Sequence, residues 1–123
     1  MTAVRVAASA QVIEGKVHVV KHEGVSIGLT RLDGTVRAFE NKCPHLGLAL
    51  DRGKIEGGAI HCPWHGSTFD ICSGRNLDWV NSVAGLPMPA WSHKLIAFGK
   101  APAPIKTYPV IEQDGHISLS LAP

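Results

Sequence analysis

The chain has 123 residues, of which 45% are hydrophobic and 6% aromatic, and its 12 basic and 10 acidic side chains leave a formal charge of +2. This length suits one domain with a real core and leaves no room for a second catalytic domain, so we expect a single domain over residues 1–123. The small charge, without a basic run interleaved with aromatics, argues against nucleic acid and anionic membranes as partners. No apolar run approaches the roughly 20 residues that span a bilayer.

The N-terminal residues 1–7 lack the basic region and continuous apolar region of a signal peptide, and they already resemble a strand. We therefore expect a cytoplasmic protein. In that compartment the three cysteines should be reduced or bound to metal rather than paired as disulfides.

Most of the chain alternates apolar and polar residues with a period of two. Val25, Ile27 and Leu29, for example, alternate with small polar residues and predict a half-buried strand. Strong two-residue turn signals separate several such runs: Asp33-Gly34, Gly57-Gly58 and Asp114-Gly115. Short strands with turns about every 8–12 residues predict an all-β fold, a small antiparallel sandwich or barrel.

Residues 77–104 interrupt this pattern. An apolar group at positions 79, 80, 83 and 84 is followed by Trp91, Leu95 and Phe98 at i, i+4 and i+7, with Gly99 placed to end a helix. We predict two short helices inserted into the β domain. Because short helices need tertiary packing to form, we expect their apolar residues, Trp79 and Trp91 among them, to fasten the insert to the domain. A face that docks a partner is the alternative.

Two short loops, Cys43-Pro44-His45 and Cys62-Pro63-Trp64-His65, each offer one thiolate and one imidazole. This Cys2His2 set admits either a structural zinc site or an iron–sulfur site in which two histidines replace two cysteines. The prolines stiffen both loops by fixing φ.

Glycines follow the ligands in both loops. Gly47 and Gly66 permit a close approach of the backbone, so that nearby amides can donate to cluster sulfurs. The third cysteine, Cys72, is expected to be a small apolar residue on the strand after the second loop, and His61 to face solvent or a strand edge.

The double motif C-P-H-L-G…C-P-W-H-G-S-T-F-D resembles the Rieske [2Fe–2S] motif, C-x-H…C-x-x-H. The flanking segments R-L-D-G, A-F-E-N-K and F-D-x-x-x-G agree with this family, and Y-P-V…D-G-x-I resembles the last hairpin of Rieske ferredoxins. The resemblance covers about residues 5–74 and 105–121. It implies one [2Fe–2S] cluster per chain, with Cys43 and Cys62 on the buried iron and His45 and His65 on the outer iron.

Departures from the respiratory and photosynthetic members are informative. Those proteins join two extra loop cysteines in a disulfide, where this chain has Leu48 and Trp64, and they place a tyrosine where this chain has Phe69. Without that hydroxyl the reduction potential should lie toward the lower end of the Rieske range, although Ser67 is retained and can donate to a bridging sulfide. Trp64 is expected to be a partly exposed contact or a shield over the cluster.

The resemblance therefore implies a disulfide-free, ferredoxin-type electron carrier rather than an enzyme. Such proteins pass single electrons from a flavin-dependent reductase to a terminal oxygenase, often a ring-hydroxylating dioxygenase. Two alternatives stay open. The first is a permanently bound electron-transfer subunit, like the small subunit of a nitrite reductase, and the second is a structural zinc domain without redox function.

Overall fold

A computed structural model describes residues 2–44, 47–64, 66–79, 82–83, 86–87, 91 and 103–121. These residues form β-strands, turns and loops and contain no α-helix, and a 3-10 turn spans Ser9–Gln11. The strands are β1 (Thr2–Ala8), β2 (His18–His22), β3 (Val25–Leu32), β4 (Thr35–Glu40), β5 (Ile55–Glu56), β6 (Ala59–His61), β7 (Thr68–Asp70), β8 (Asn76–Asp78), β9 (Ser82–Val83), β10 (Leu86–Pro87), β11 (Thr107–Tyr108), β12 (Val110–Gln113) and β13 (His116–Leu121).

The strands form antiparallel sheets, as the sequence predicts. One sheet has the order β1-β13-β12, a central sheet has the order β11-β4-β3-β2, and a third sheet has the order β5-β6-β7-β8. Strands β9 and β10 pair only with each other in the described part of the chain. The predicted all-β class is confirmed.

Local turn chemistry sets the hairpins. Asp33 and Gly34 join β3 to β4 with φ angles of 50° and 81°, the positive values that a tight two-residue hairpin requires. Asp114 and Gly115 do the same between β12 and β13. Both predicted hairpins are confirmed, as is the one at 57–58 between β5 and β6.

Two apolar cores lie on opposite faces of the central sheet. The first, here called the base core, draws on β1, β3, β4 and β13 and consists of Ala7, Val12, Ile27, Leu29, Val36, Ala38, Ile117 and Leu119. The second, here called the loop core, lies against the third sheet and consists of Phe39, Cys43, Leu50, Ile60, Cys62, Phe69, Ile71 and Ile105. The candidate ligand cysteines therefore belong to one core only.

The two cores explain why β3 is more buried than expected. The alternation predicts a half-buried strand, yet Gly28 and Thr30 are buried as well as Ile27 and Leu29. The ring of Phe39 covers Gly28, and a Cβ added at Gly28 would lie 2.5 Å from the ring atom Cζ. A glycine at this position lets the loop core reach the central sheet.

The helical prediction for residues 77–104 is wrong in the first half of that segment. Asn76–Asp78 extends the third sheet by pairing with β7, and Ser82–Val83 pairs with Leu86–Pro87. Gly85 interrupts the helical spacing, and β-branched valines favour extended structure, so local pairing prevails over the apolar periodicity. The second predicted helix lies outside the described residues except for Trp91.

Candidate metal centre

The first ligand loop, residues 43–48, is closed by two backbone hydrogen bonds. The Cys43 amide donates to the Leu48 carbonyl at 2.7 Å, and the Gly47 amide donates to the Cys43 carbonyl at 2.7 Å. Gly47 has φ = +76°, a value that a residue with a side chain adopts only at a cost. The backbone of Cys43 is thus fixed from both sides.

The second ligand loop, residues 62–67, has the same frame. The Cys62 amide donates to the Ser67 carbonyl at 2.6 Å, and the Gly66 amide donates to the Cys62 carbonyl at 3.1 Å. Gly66 has φ = +80°. Each cysteine therefore begins a six-residue loop with a glycine at the fifth position. The sequence differs in where the histidine falls, at the third residue of the first loop and at the fourth residue of the second.

Both thiols lie inside the loop core. Cys43 is 1% exposed and Cys62 is 3% exposed, beside the fully buried Phe69. A buried thiolate is costly unless a metal or another cation compensates its charge. The structure thus brings the two predicted cysteine ligands into one apolar environment.

The two predicted imidazole ligands, His45 and His65, lie outside the described residues. Their chain neighbours Pro44, Trp64 and Gly66 are described, and all three belong to the matched loops. The described residues alone contain no group of three or more side chains that could hold a metal. The histidine assignment therefore stays a prediction.

One buried hydroxyl points to an acceptor beyond the described side chains. Ser67 is completely buried, and its Oγ atom has no hydrogen-bond partner among the described residues. An unsatisfied buried hydroxyl costs about 1–3 kcal/mol. The hydroxyl of Thr30 shares this state, but Thr30 lies on β3 and not in a ligand loop. A sulfur acceptor held by the loops would satisfy the Ser67 hydroxyl, so the residues present fit an iron–sulfur cluster.

Large apolar side chains of both ligand loops are exposed. Trp64 is 48% exposed and Leu48 is 36% exposed, which confirms that Trp64 is partly exposed. They line a hollow of about 590 Å³ together with Ala49, Asp51, Arg52 and Pro63. Both ligand loops thus contribute to one open surface.

Cys72 is not where the sequence predicts. It is exposed in the turn that follows β7, because the Asp70 carboxylate accepts the Cys72 amide at 2.9 Å and the Asp70 carbonyl accepts the Gly74 amide at 2.7 Å. His61 ends β6 and is half-buried, and its Nδ1 lies 3.1 Å from Thr68 Oγ1.

Sequence reasoning also missed Asn41. This residue is 8% exposed two positions before Cys43, and its side chain reaches Ser26, Leu50 and Asp51. The available signal was an asparagine at the end of a strand, a residue type that often bonds nearby backbone.

Two buried thiols on matched glycine-containing loops of an all-β domain are typical of a metal-binding domain. Residues 2–109 match the Rieske [2Fe-2S] domain, and the chain belongs to this family. The ferredoxin component of the naphthalene 1,2-dioxygenase system of Pseudomonas putida is 36% identical over 70 residues, which is 57% of this chain and 67% of that relative. The corresponding component of the naphthalene 1,2-dioxygenase/salicylate 5-hydroxylase systems of Ralstonia sp is 39% identical over 64 residues, which is 52% of this chain and 62% of that relative.

Solved structures of other proteins share this fold. The Sphingomonas yanoikuyae B1 ferredoxin is 27% identical with a TM-score of 0.76, and the match covers 98% of this chain and 100% of that one. The terminal oxygenase of carbazole 1,9a-dioxygenase from Novosphingobium sp. KA1 matches over 98% of this chain but 30% of its own length, with 26% identity and a TM-score of 0.73. The similarity to ferredoxin components confirms an electron carrier of the Rieske type rather than an enzyme, and it favours the iron–sulfur interpretation over the zinc alternative.

No helix long and apolar enough to cross a membrane occurs in the part of the chain that the structure describes. The predicted cytoplasmic location stays a prediction.

Proposed function

We propose that Cys43, His45, Cys62 and His65 hold one [2Fe–2S] cluster per chain, within a single domain over residues 1–123. The cysteines would hold the buried iron and the histidines the outer iron. Two findings support this assignment: both thiols are nearly inaccessible in one core, and both loops share one hydrogen-bond frame. When bound, such a cluster supplies a one-electron redox site.

The surrounding residues then have distinct tasks. Gly47 and Gly66 would allow the loop backbone to approach the sulfurs of a bound cluster, and the Ser67 hydroxyl would be available to donate a hydrogen bond to a sulfur. Phe69 excludes water from the thiolates and offers no hydroxyl. Trp64, which is partly exposed, would contact the partner.

We infer that the protein accepts one electron from a flavin-dependent reductase and delivers it to a terminal oxygenase. The pair of matched loops with buried thiols carries this inference, and the similarity to ferredoxin components of dioxygenase systems supports the direction of transfer. The exposed surface that includes Leu48 and Trp64 is where we expect a partner to approach, since electron transfer favours a short gap between cofactors.

The experiment has two stages. Iron and acid-labile sulfide should each be found at two per chain, with visible absorption that bleaches on reduction and an electron paramagnetic resonance signal in the reduced form. The protein should then replace the ferredoxin component of the Pseudomonas putida naphthalene 1,2-dioxygenase system, with purified reductase and oxygenase as surrogate partners. Colourless protein containing zinc would overturn the cofactor assignment.

A permanently bound electron-transfer subunit remains the second candidate. Trp91 is 76% exposed and Leu77 is 49% exposed, so large apolar side chains of the 77–104 segment are available to a stable partner. Purification from the native cells would decide between the two. A larger subunit that stays bound through size-exclusion chromatography would favour this candidate, whereas elution alone favours the mobile carrier.

A further inference from the structure

The two ligand loops share the same pattern of backbone hydrogen bonds but differ in how their ends are joined to the sheets. The second loop connects β6 and β7, and the ladder between these strands pairs His61 with Thr68 directly below the loop. The side chains of this pair are also in contact, with Thr68 Oγ1 lying 3.1 Å from His61 Nδ1. Regular strand pairing therefore closes the second loop.

The first loop has no such ladder. It leaves β4 at Glu40, and the described residues from position 41 to position 54 form no strand. The chain instead returns through Leu50, which is fully buried in the loop core, and Asp51. Something other than strand pairing must join the two ends of this segment.

Asn41 joins them. Its Oδ1 accepts the Leu50 amide at 2.7 Å, and its Nδ2 donates to Asp51 Oδ1 at 3.1 Å. The same Nδ2 lies 3.3 Å from Ser26 Oγ, and the Asn41 amide donates to the Ser26 carbonyl at 2.9 Å. Asn41 thus ties the start of the first loop segment to its end and to β3.

The chemistry of the contact is specific to a carboxamide. One atom must accept the Leu50 amide while the other must donate to the Asp51 carboxylate, and a carboxylate or a hydrocarbon at position 41 satisfies one of these needs or neither. Asn41 is 8% exposed, so water competes poorly for either bond.

We propose that Asn41 is a positioning residue: together with Asp51 it latches the first ligand loop, so that loss of the latch opens this loop and releases the cluster from the Cys43 side. The proposal rests on the proposed function for the part that concerns the cluster. The second loop, held by its ladder, should stay closed when the latch is broken.

Exchanging the carboxamide and the carboxylate between positions 41 and 51 tests the latch in the cluster-loaded protein. Asn41→Asp places two carboxylates against each other, and we expect amide hydrogen exchange at Leu50 to quicken about tenfold or more. Loss of iron to a chelator should quicken by a similar factor. Asp51→Asn alone should have little effect, because its amide can present an oxygen to Asn41. The double variant Asn41→Asp/Asp51→Asn restores donor to acceptor and should return both rates to within about threefold of the starting protein.

Thr68→Val is the matched control, since it removes the side-chain contact at the base of the second loop but keeps the ladder. It should change the rate of iron loss by less than about threefold. Equal acceleration of exchange at Leu50 and at the hydrogen-bonded amides of Cys62 and Gly66 in Asn41→Asp would indicate general destabilisation and overturn the proposal. A double variant that folds but keeps the fast amide exchange and fast iron loss of Asn41→Asp would also overturn the proposal.

The results of these experiments distinguish a failure of the latch from a failure of the proposed function. If the purified protein carries no iron–sulfur cluster, the cofactor assignment fails, yet Leu50 exchange in the swap series still reports on the latch. If Asn41→Asp fails to fold, a folded and cluster-loaded double variant supports the latch by rescue, and failure of both variants overturns it.

Discussion

The base core and the loop core differ in what holds them together. The base core is aliphatic, and the strands that contribute to it pair in long ladders, β1 with β13 and β3 with β4, each over six residue pairs. The loop core includes two buried cysteines, and its third sheet is made of strands of two or three residues. A core of the first kind is stabilised by burial alone, whereas we expect the second to depend also on the metal that its cysteines are proposed to hold.

The two halves are nevertheless connected. Phe39 lies on the central sheet, where its ring covers Gly28, but it packs in the loop core. Neighbouring residues of the same strand, such as Ala38, face the base core. We therefore expect the base half to stay folded when the metal is lost. The stability that it does lose should be concentrated on the face of the central sheet that carries Phe39.

The largest effect should come from removing a thiolate. Cys43→Ser should abolish cluster assembly, and amides of the loop core such as Ile60 should lose protection from exchange while Leu119 in the base core keeps it. Cys72→Ser is the matched control, because Cys72 is exposed in a turn. Hydrogen exchange and the visible spectrum measure both. A colourless Cys72 variant would show that the ligand assignment is wrong.

The difference between the two cores also determines how much of the fold and of the site can be predicted from the sequence. Hairpins such as Asp33-Gly34 and the ligand loops follow from local chemistry: a positive φ that glycine tolerates, and a thiolate next to an imidazole. The burial of Gly28 could not be predicted, because it depends on a second core that meets the strand from sequence-distant segments. The Asn41 latch was missed for the same reason, since its partners lie at positions 26 and 51.

The insert shows the limit of periodicity. The spacing of Trp91 with later apolar residues predicts a side chain packed on the domain, but Trp91 is 76% exposed, so that prediction is wrong for this residue. It holds for Trp79, which is half-buried against the loop core. Spacing shows that two residues share a face and does not show what covers that face.

The second effect concerns this pair of tryptophans. Trp79→Ala should lower the free energy of unfolding by about 2–3 kcal/mol, somewhat less than the loss of a fully buried aromatic, because Trp79 packs on the loop core. Trp91→Ala should change it by less than about 0.5 kcal/mol. Denaturant unfolding of the cluster-loaded protein measures both.

Electron delivery to the oxygenase should be more sensitive to the loss of Trp91 than stability is. If Trp91 contacts a partner, its alanine variant slows reduction of the surrogate oxygenase while the melting temperature stays unchanged. Equal destabilisation by both substitutions would show that the exposed tryptophan packs on the domain after all.

The third effect is on potential. The wild-type midpoint should fall toward the lower end of the roughly −150 to +300 mV range of Rieske centres, because Phe69 offers no hydroxyl to a cysteine sulfur. Phe69→Tyr adds one inside the loop core and should raise the midpoint. Protein-film voltammetry measures it. A wild-type value near the top of the range, or a tyrosine variant with an unchanged potential, would contradict this explanation.

The smallest effect belongs to the base half and depends on pH. Arg31 makes a two-bond ion pair with Glu112, Nη1 to Oε1 at 3.0 Å and Nη2 to Oε2 at 2.8 Å, and joins β3 to β12. The hydrogen bond from Arg31 holds the pKa of Glu112 below its ordinary value of 4.5. The pair therefore stabilises the fold above that value, and its contribution is lost as the pH falls through the lowered pKa.

Glu112→Gln should accordingly lower the melting temperature by about 1–2 °C at neutral pH, and the difference from wild type should disappear as the pH falls through the lowered pKa of Glu112. Glu56→Gln is the matched control in the loop half, because the Lys54–Glu56 pair is 75% and 65% exposed and should contribute nothing measurable at physiological salt. Exchange at Ile117, next to the Glu112 strand in the base core, separates this effect from acid release of metal in the loop half. A difference that persists at a pH well below the lowered pKa of Glu112, where the carboxylate is protonated, would show that Glu112 acts through packing rather than charge.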